Sequence, residues 1–165
     1  MDLAIQKLCI ISGIYAPAQL GQKDPFWQHL AELNAVIDSP WCLIGDFNEL
    51  EDLSEKRGGF SLSMSHCRRL PQFLRTIHGS SILVQGRSFT WKKRIHGHLI
   101  YERLDRAIGR QDWPRMYPDA FVSSGPFTCS GHSYVYLHTS ALSPATKRPP
   151  FRFQPNWNHM KVSVL

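Results

Sequence analysis

The chain has 165 residues, 42% of them hydrophobic and five of them tryptophan, which excludes a disordered polymer and suits one globular domain. Lysine plus arginine outnumber the acids 19 to 13, for a net charge of +6 with eight histidines besides; a polyanion is a natural partner, though the same charge also serves solubility alone. No apolar run reaches membrane-span length and "MDLAIQKLCIISG" is too weakly apolar for a secretory signal, so the expected location is intracellular, nuclear if the partner is DNA.

Residues 7–15, "KLCIISGIY", are β-branched and apolar and predict a buried strand. After the loop "APAQLGQKDP", Asp24 and Pro25 form a cap and first-turn pair. Phe26, Leu30, Leu33 and Ile37 recur at helical spacing, predicting an amphipathic helix over 25–37 that Ser39-Pro40 stops. "WCLIG" is the next strand, and strand–helix–strand order implies helices layered on a sheet. "NELEDLSEKRGGF" is a polar loop.

Cys67, Leu70, Leu74 and Ile77 mark a second helix, kinked at Pro71 or beginning near residue 70, with Gly79 as its stop. Beyond it the texture turns to β: "SILVQG", "SFTWKKR" and "LIYERLDRAI" predict strands, the last two joined by a hairpin at "RIHGH". "RQDWPRMYP" reads as a short helix or turn, and "DAFVSSG" and "HSYVYLHT" as two more strands. From Ser143 the chain becomes proline-rich and basic, dividing it into a domain over 1–142 and a tail over 143–165. Cys9, Cys42, Cys67 and Cys129 show no CxxC spacing; they are expected to be reduced core residues, and there is no zinc signature.

Residues two apart in a strand share a face, so Asp46 and Asn48 stand together at the carboxyl end of "WCLIGD", where open sheets build sites. The same rule sets Arg103 and Asp105 on one face opposite Leu104, either as a functional pair or as the wet side of an edge strand. His132 precedes the last strand as a turn residue or a catalytic imidazole. His96 and His98 alone make no metal site. Tyr15 ends the first strand, a position ordinarily used for packing.

Six stretches in order, "GIYAPA", "WCLIGDFNE", "EKRGG", "SFTW", "ERLDRAI" and "SGH", resemble the endonuclease/exonuclease/phosphatase superfamily. More narrowly they resemble the endonuclease region of plant LINE-type retrotransposon polyproteins, from about Leu8 to Leu137. "PFRFQPNW" resembles the segment leading toward the reverse transcriptase. The resemblance implies an α+β fold, a four-layer αββα sandwich of two facing sheets with helices outside. It implies a hydrolase of phosphoric esters that uses a divalent metal, usually magnesium, and DNA as substrate. Asp46 matches the aspartate that activates water or handles a proton, and Asn48 the amide that steadies phosphate or metal. Asp105 matches the aspartate that orients the catalytic histidine, here His132, and Tyr15 the tyrosine that reaches the scissile phosphate.

The sequence departs from the family where Ser130-Gly131-His132 stands for Ser-Asp-His, and where Ala18 replaces an asparagine. Glycine brings neither charge nor lone pairs and loosens the backbone behind His132. Leu8 already matches the middle of the family domain, so the metal-binding glutamate and much of one sheet are not found in this sequence. The expectation is an impaired or inactive endonuclease fragment with an uncovered apolar sheet face, unless its own loops and tail fold back over it. The alternative is a non-catalytic remnant, at most a basic nucleic-acid-binding module.

Overall fold

The computed structural model describes residues 9–127 and 130–140. Its centre is the apolar run Trp41–Asp46, strand β2, whose alternating side chains enter two different cores. Strand β1, Ile10–Tyr15, pairs parallel with β2 in the register Tyr15↔Asp46. A parallel pair needs a long crossover, supplied here by helix α1, Leu20–Val36. Strand β8, Asp105–Gly109, and the short β4, Ser80–Ser81, complete a mixed four-stranded sheet in the order β1-β2-β8-β4.

One face of this sheet carries α1 and helix α2, Arg69–Thr76. Trp41, Leu43 and Ile108 pack there against Trp27, Leu30, Phe73 and Leu74. The other face presents Cys42, Ile44 and Ala107 to a second sheet. That sheet runs β10-β9-β5, built from Ser133–His138, Phe121–Phe127 and Val84–Gln85, and sends Val122, Val135 and Leu137 into the shared core. Helix α3, Trp113–Met116, closes one end with the fully buried Trp113. A third sheet, β3-β7-β6, comprises Lys56–Arg57, His98–Glu102 and Trp91–Ile95. The fold class is mixed α+β with several sheets and few helices. No helix among the described residues is long and apolar enough to cross a membrane.

Several predicted elements stand where the pattern put them. The second helix begins at Arg69, which leaves Pro71 in its first turn, where a proline's missing N–H costs nothing. It ends in paired hydrogen bonds, Gly79 N to Leu74 O at 2.9 Å and His78 N to Arg75 O at 3.2 Å. The left-handed residue there is His78, φ 50°, so Gly79 is not required for its φ. It is required for closeness, because a Cβ on it would lie 2.9 Å from the Gly109 carbonyl oxygen. The "RIHGH" hairpin turns on His96 and Gly97, both at positive φ, as a two-residue loop of this hand demands.

Three expectations are corrected. Helix α1 starts at Leu20, not Pro25, and Pro25 lies inside it. An interior proline costs about 3 kcal/mol. The turn ahead of it is nevertheless held by tertiary contacts, Lys23 Nζ to Glu49 Oε2 at 3.0 Å and Arg69 Nε to Asp24 Oδ1 at 2.5 Å. Asp24 is therefore an interhelical partner, not a cap.

"SILVQG" is two short pieces in two sheets: Ser80–Ser81 joins β8, and Val84–Gln85 joins β9, with Ile82 buried in the core between. "LIYERLDRAI" breaks at Arg103-Leu104, whose backbone N–H groups leave the ladder for the Glu55 carbonyl (3.0 Å) and the Thr90 hydroxyl (3.0 Å). Arg103 and Asp105 consequently belong to different environments, Arg103 bonding Glu55 at 3.1 Å. Cys9, Cys42 and Cys67 are free thiols. Cys129 and the tail over 143–165 lie outside the described residues.

Candidate acid–base and metal site

Asp46 is the last residue of β2 and Asp105 the first of β8, and the antiparallel register sets them directly opposite each other. Two like charges at opposed positions destabilise a sheet unless a cation or a proton offsets them. His132 arrives from the turn before β10. Its approach is fixed by backbone bonds from Lys92 N to Gly131 O (2.8 Å) and from Ser133 N to Thr90 O (2.7 Å). Its Nδ1 lies 2.9 Å from Asp105 Oδ2, and its Nε2 lies 3.9 Å from Asp46 Oδ2. The Trp91 ring meets the imidazole edge to face, centroids 6.4 Å apart.

Asn48 holds the other side of Asp46. Its backbone N–H donates to Asp46 Oδ1 at 2.9 Å, and its side-chain Nδ2 donates to Asp46 Oδ2 at 3.1 Å and to the Ala16 carbonyl at 2.8 Å. Asn48 makes these bonds at φ 45°, a left-handed conformation that asparagine tolerates better than most residues. Gly45, one residue before Asp46, has φ 144°, and a Cβ there would sit 2.0 Å from the Ile14 carbonyl oxygen. Only glycine lets β1 and β2 close up behind the carboxylate.

Burial pushes the Asp46 carboxyl above its ordinary value; the Asn48 N–H pulls it back, the Asp105 charge raises it, and His132 and Lys23 lower it. This is the environment of a carboxylate that gains by meeting a cation.

Of the residues named from sequence, Asp46, Asn48, Asp105 and His132 converge. Tyr15 stands beside Asp46 in the register with its side chain 83% exposed at the rim, and it makes no hydrogen bond to the cluster among the described residues. Ile11, on the same face of β1, is also exposed, so apolar surface lies open beside the inter-sheet core. Arg103 turns away to Glu55.

Sequence reasoning missed Thr90, which is buried and whose Oγ1 accepts from both Leu104 N (3.0 Å) and Asp105 N (2.8 Å). It stands within "SFTW", so the stretch was visible although the role was not. Arg106 was missed too. Fully buried behind Asp105, it bonds Glu55 Oε2 at 2.7 Å, Glu51 Oε2 at 3.1 Å and the Arg103 carbonyl at 2.6 Å.

Ligand atoms of Asp46, Asp105 and His132 all lie within 4.8 Å of one another, so the three could hold a metal ion. The two carboxylates fit a hard divalent cation that keeps several waters, whereas an imidazole is a poor ligand for magnesium. The 2.9 Å bond to Asp105 gives His132 a different use, as an oriented acid or base.

Gly131 has little room for a side chain. A Cβ would fall 2.9 Å from the Lys92 carbonyl oxygen and 3.5 Å from Trp91 Nε1. No protein-family model matches the sequence, and no curated protein matches it.

Proposed function

We propose that this chain carries the carboxylate and imidazole core of a divalent-metal-dependent phosphodiesterase acting on DNA, with activity impaired at Gly131. The reading rests on one observation: Asp46 and Asp105 oppose each other across two strands, with His132 bonded to Asp105. Helices on one face of the central sheet and a second sheet on the other support three layers of a four-layer αββα sandwich. That arrangement agrees with the family the motifs resemble.

A divalent ion such as magnesium, held by Asp46 and Asp105, would supply charge neutralisation at the phosphate. The chain's own groups divide the remaining work. Asp105 fixes His132 through Nδ1, leaving Nε2 free to give or take a proton on the side facing Asp46. Asn48 fixes both oxygens of Asp46, so the carboxylate meets substrate in one orientation.

The test is nicking of supercoiled plasmid with magnesium or manganese. Slow, metal-dependent nicking that disappears in Asp46→Ala is the expected result. Equal nicking in the wild type and Asp46→Ala would overturn the assignment.

One observation favours a second reading, a nucleic-acid-binding module without cleavage. A Cβ at Gly131 would press on the Lys92 carbonyl oxygen at 2.9 Å, which crowds the side chain of the family motif, while the adjoining strand β6 carries Lys92, Lys93 and Arg94. DNA binding without nicking would identify it. Its affinity should then fall steeply with salt, since phosphate contacts release counterions.

A further inference from the structure

The early turn of α1, which the proline pattern does not predict, carries Lys23 to the back of the site. Lys23 Nζ donates to the backbone carbonyl of Asn48 and, at 3.0 Å, to Glu49 Oε2. Glu49 is itself buried, and Arg69 Nη1 stands 3.9 Å from its other oxygen. The amine is thus anchored on one side by a buried carboxylate and grips, on the other, the carbonyl of the one left-handed residue in the corner after β2.

We infer that Lys23 is a positioning residue for the proposed site, holding Asn48 in its left-handed conformation so that both Asn48 donors stay on Asp46. Three links carry this. At φ 45° Asn48 holds a left-handed conformation that asparagine tolerates but does not prefer, so local bonds decide how firmly it is held. In that conformation the Asn48 amide reaches both Asp46 and the Ala16 carbonyl, while the Lys23 bond restrains its carbonyl from behind. Lastly, the ammonium comes from a helical turn that persists ahead of an interior proline, and Lys23 and Asp24 are the residues whose contacts hold that turn in place. Lys23 bonds the Asn48 carbonyl and Glu49 and none of Asp46, Asp105 and His132, so beyond its charge it reaches the site through Asn48.

The inference rests on the proposed reading of the site, and its test separates the two. Lys23→Met keeps the aliphatic stem and removes the donor; Lys23→Arg restores it. Manganese binding to the full chain, followed by calorimetry, is expected to weaken about tenfold in Lys23→Met and to recover to within about twofold in Lys23→Arg. The nitrogen-15 NMR signals of the Asn48 backbone and side-chain amides are expected to shift in Lys23→Met and return in Lys23→Arg.

That second readout needs no metal. If the wild type binds no manganese, the site reading fails and the Asn48 signals still decide the role of Lys23. If Lys23→Met melts without cooperativity, Lys23→Gln, whose shorter stem cannot span both acceptors, replaces it with the same expectation. Asn48 signals unchanged in the neutral variant, or an arginine variant as defective as the neutral one, would overturn the inference.

Discussion

His132 Nδ1 and Asp105 Oδ2 stand 2.9 Å apart although 27 residues separate them in the chain. The contact fixes which imidazole nitrogen faces Asp46, and Asp105 is in turn fixed by the Thr90 hydroxyl on its backbone N–H at 2.8 Å. Replacing Asp105 by asparagine keeps the shape and removes the charge. Metal-dependent nicking is expected to fall about 100-fold, the size typical of a lost acid–base arrangement. The comparison is made at equal folded fraction, checked by circular dichroism. An Asp105→Asn variant that nicks like the wild type would remove Asp105 from the mechanism, both as ion ligand and as the group that orients His132.

Gly131 gives a second expectation, opposite to simple restoration. Gly131→Asp would return the carboxylate of the family motif, but its Cβ meets the Lys92 carbonyl oxygen at 2.9 Å, a backbone atom that must shift. The variant should lose stability by about 1–3 kcal/mol, the usual cost of overpacking, and should gain no nicking activity. Chemical denaturation and the plasmid assay together check this; a stable, more active variant contradicts it.

Gly45→Ala tests the join between β1 and β2. The added methyl would lie 2.0 Å from the Ile14 carbonyl oxygen at a φ of 144°. A loss of about 2 kcal/mol or more is expected, measured by urea unfolding. Because Asp46 follows directly, manganese binding should weaken with it.

The thiols supply a test of the core. Burial raises Cys42 to about 12, with the neighbouring Cys9 adding to the effect, and burial likewise raises Cys67. Both should resist alkylation in the native protein at pH 8, while Cys9, only half-buried, should label before either of them in peptide mass spectrometry. The sign for stability follows. The unfolded thiol ionises near 9.0 and the folded Cys42 thiol near 12, so the unfolded state releases its proton first and stability falls as pH rises through that window. Cys42→Ser should flatten this alkaline slope; an unchanged slope would assign it elsewhere.

Much of this architecture is legible from local pattern. The apolar run Trp41–Ile44, the glycine before Asp46 and the two-residue turn at His96-Gly97 are dictated by alternation and by backbone sterics, which act between near neighbours. The corrected elements have the opposite character. Pro25 forecast a helix start, yet Glu49 and Arg69, 26 and 45 residues from their partners Lys23 and Asp24, hold an extra turn in place. "LIYERLDRAI" forecast one strand, yet Glu55 and Thr90 take its central N–H groups. Tyr15, named from a motif, lies beside Asp46 only because the parallel register of two separate strands puts it there, with its ring exposed.

By itself, then, the sequence determined the main helix and strand segments, though not their breaks or the start of α1, together with the basic balance and the residues capable of acid–base and cation chemistry, since composition and short-range periodicity carry that information. Only the tertiary structure decided which of those residues meet. The opposition of Asp46 and Asp105 depends on an antiparallel register, and the arrival of His132 on hydrogen bonds to a distant strand. The grip of Lys23 on Asn48 depends on a helix turn stabilised across the fold. Long-range hydrogen bonds and buried ion pairs leave no periodic trace in a chain, which is why these relationships had to be seen in three dimensions.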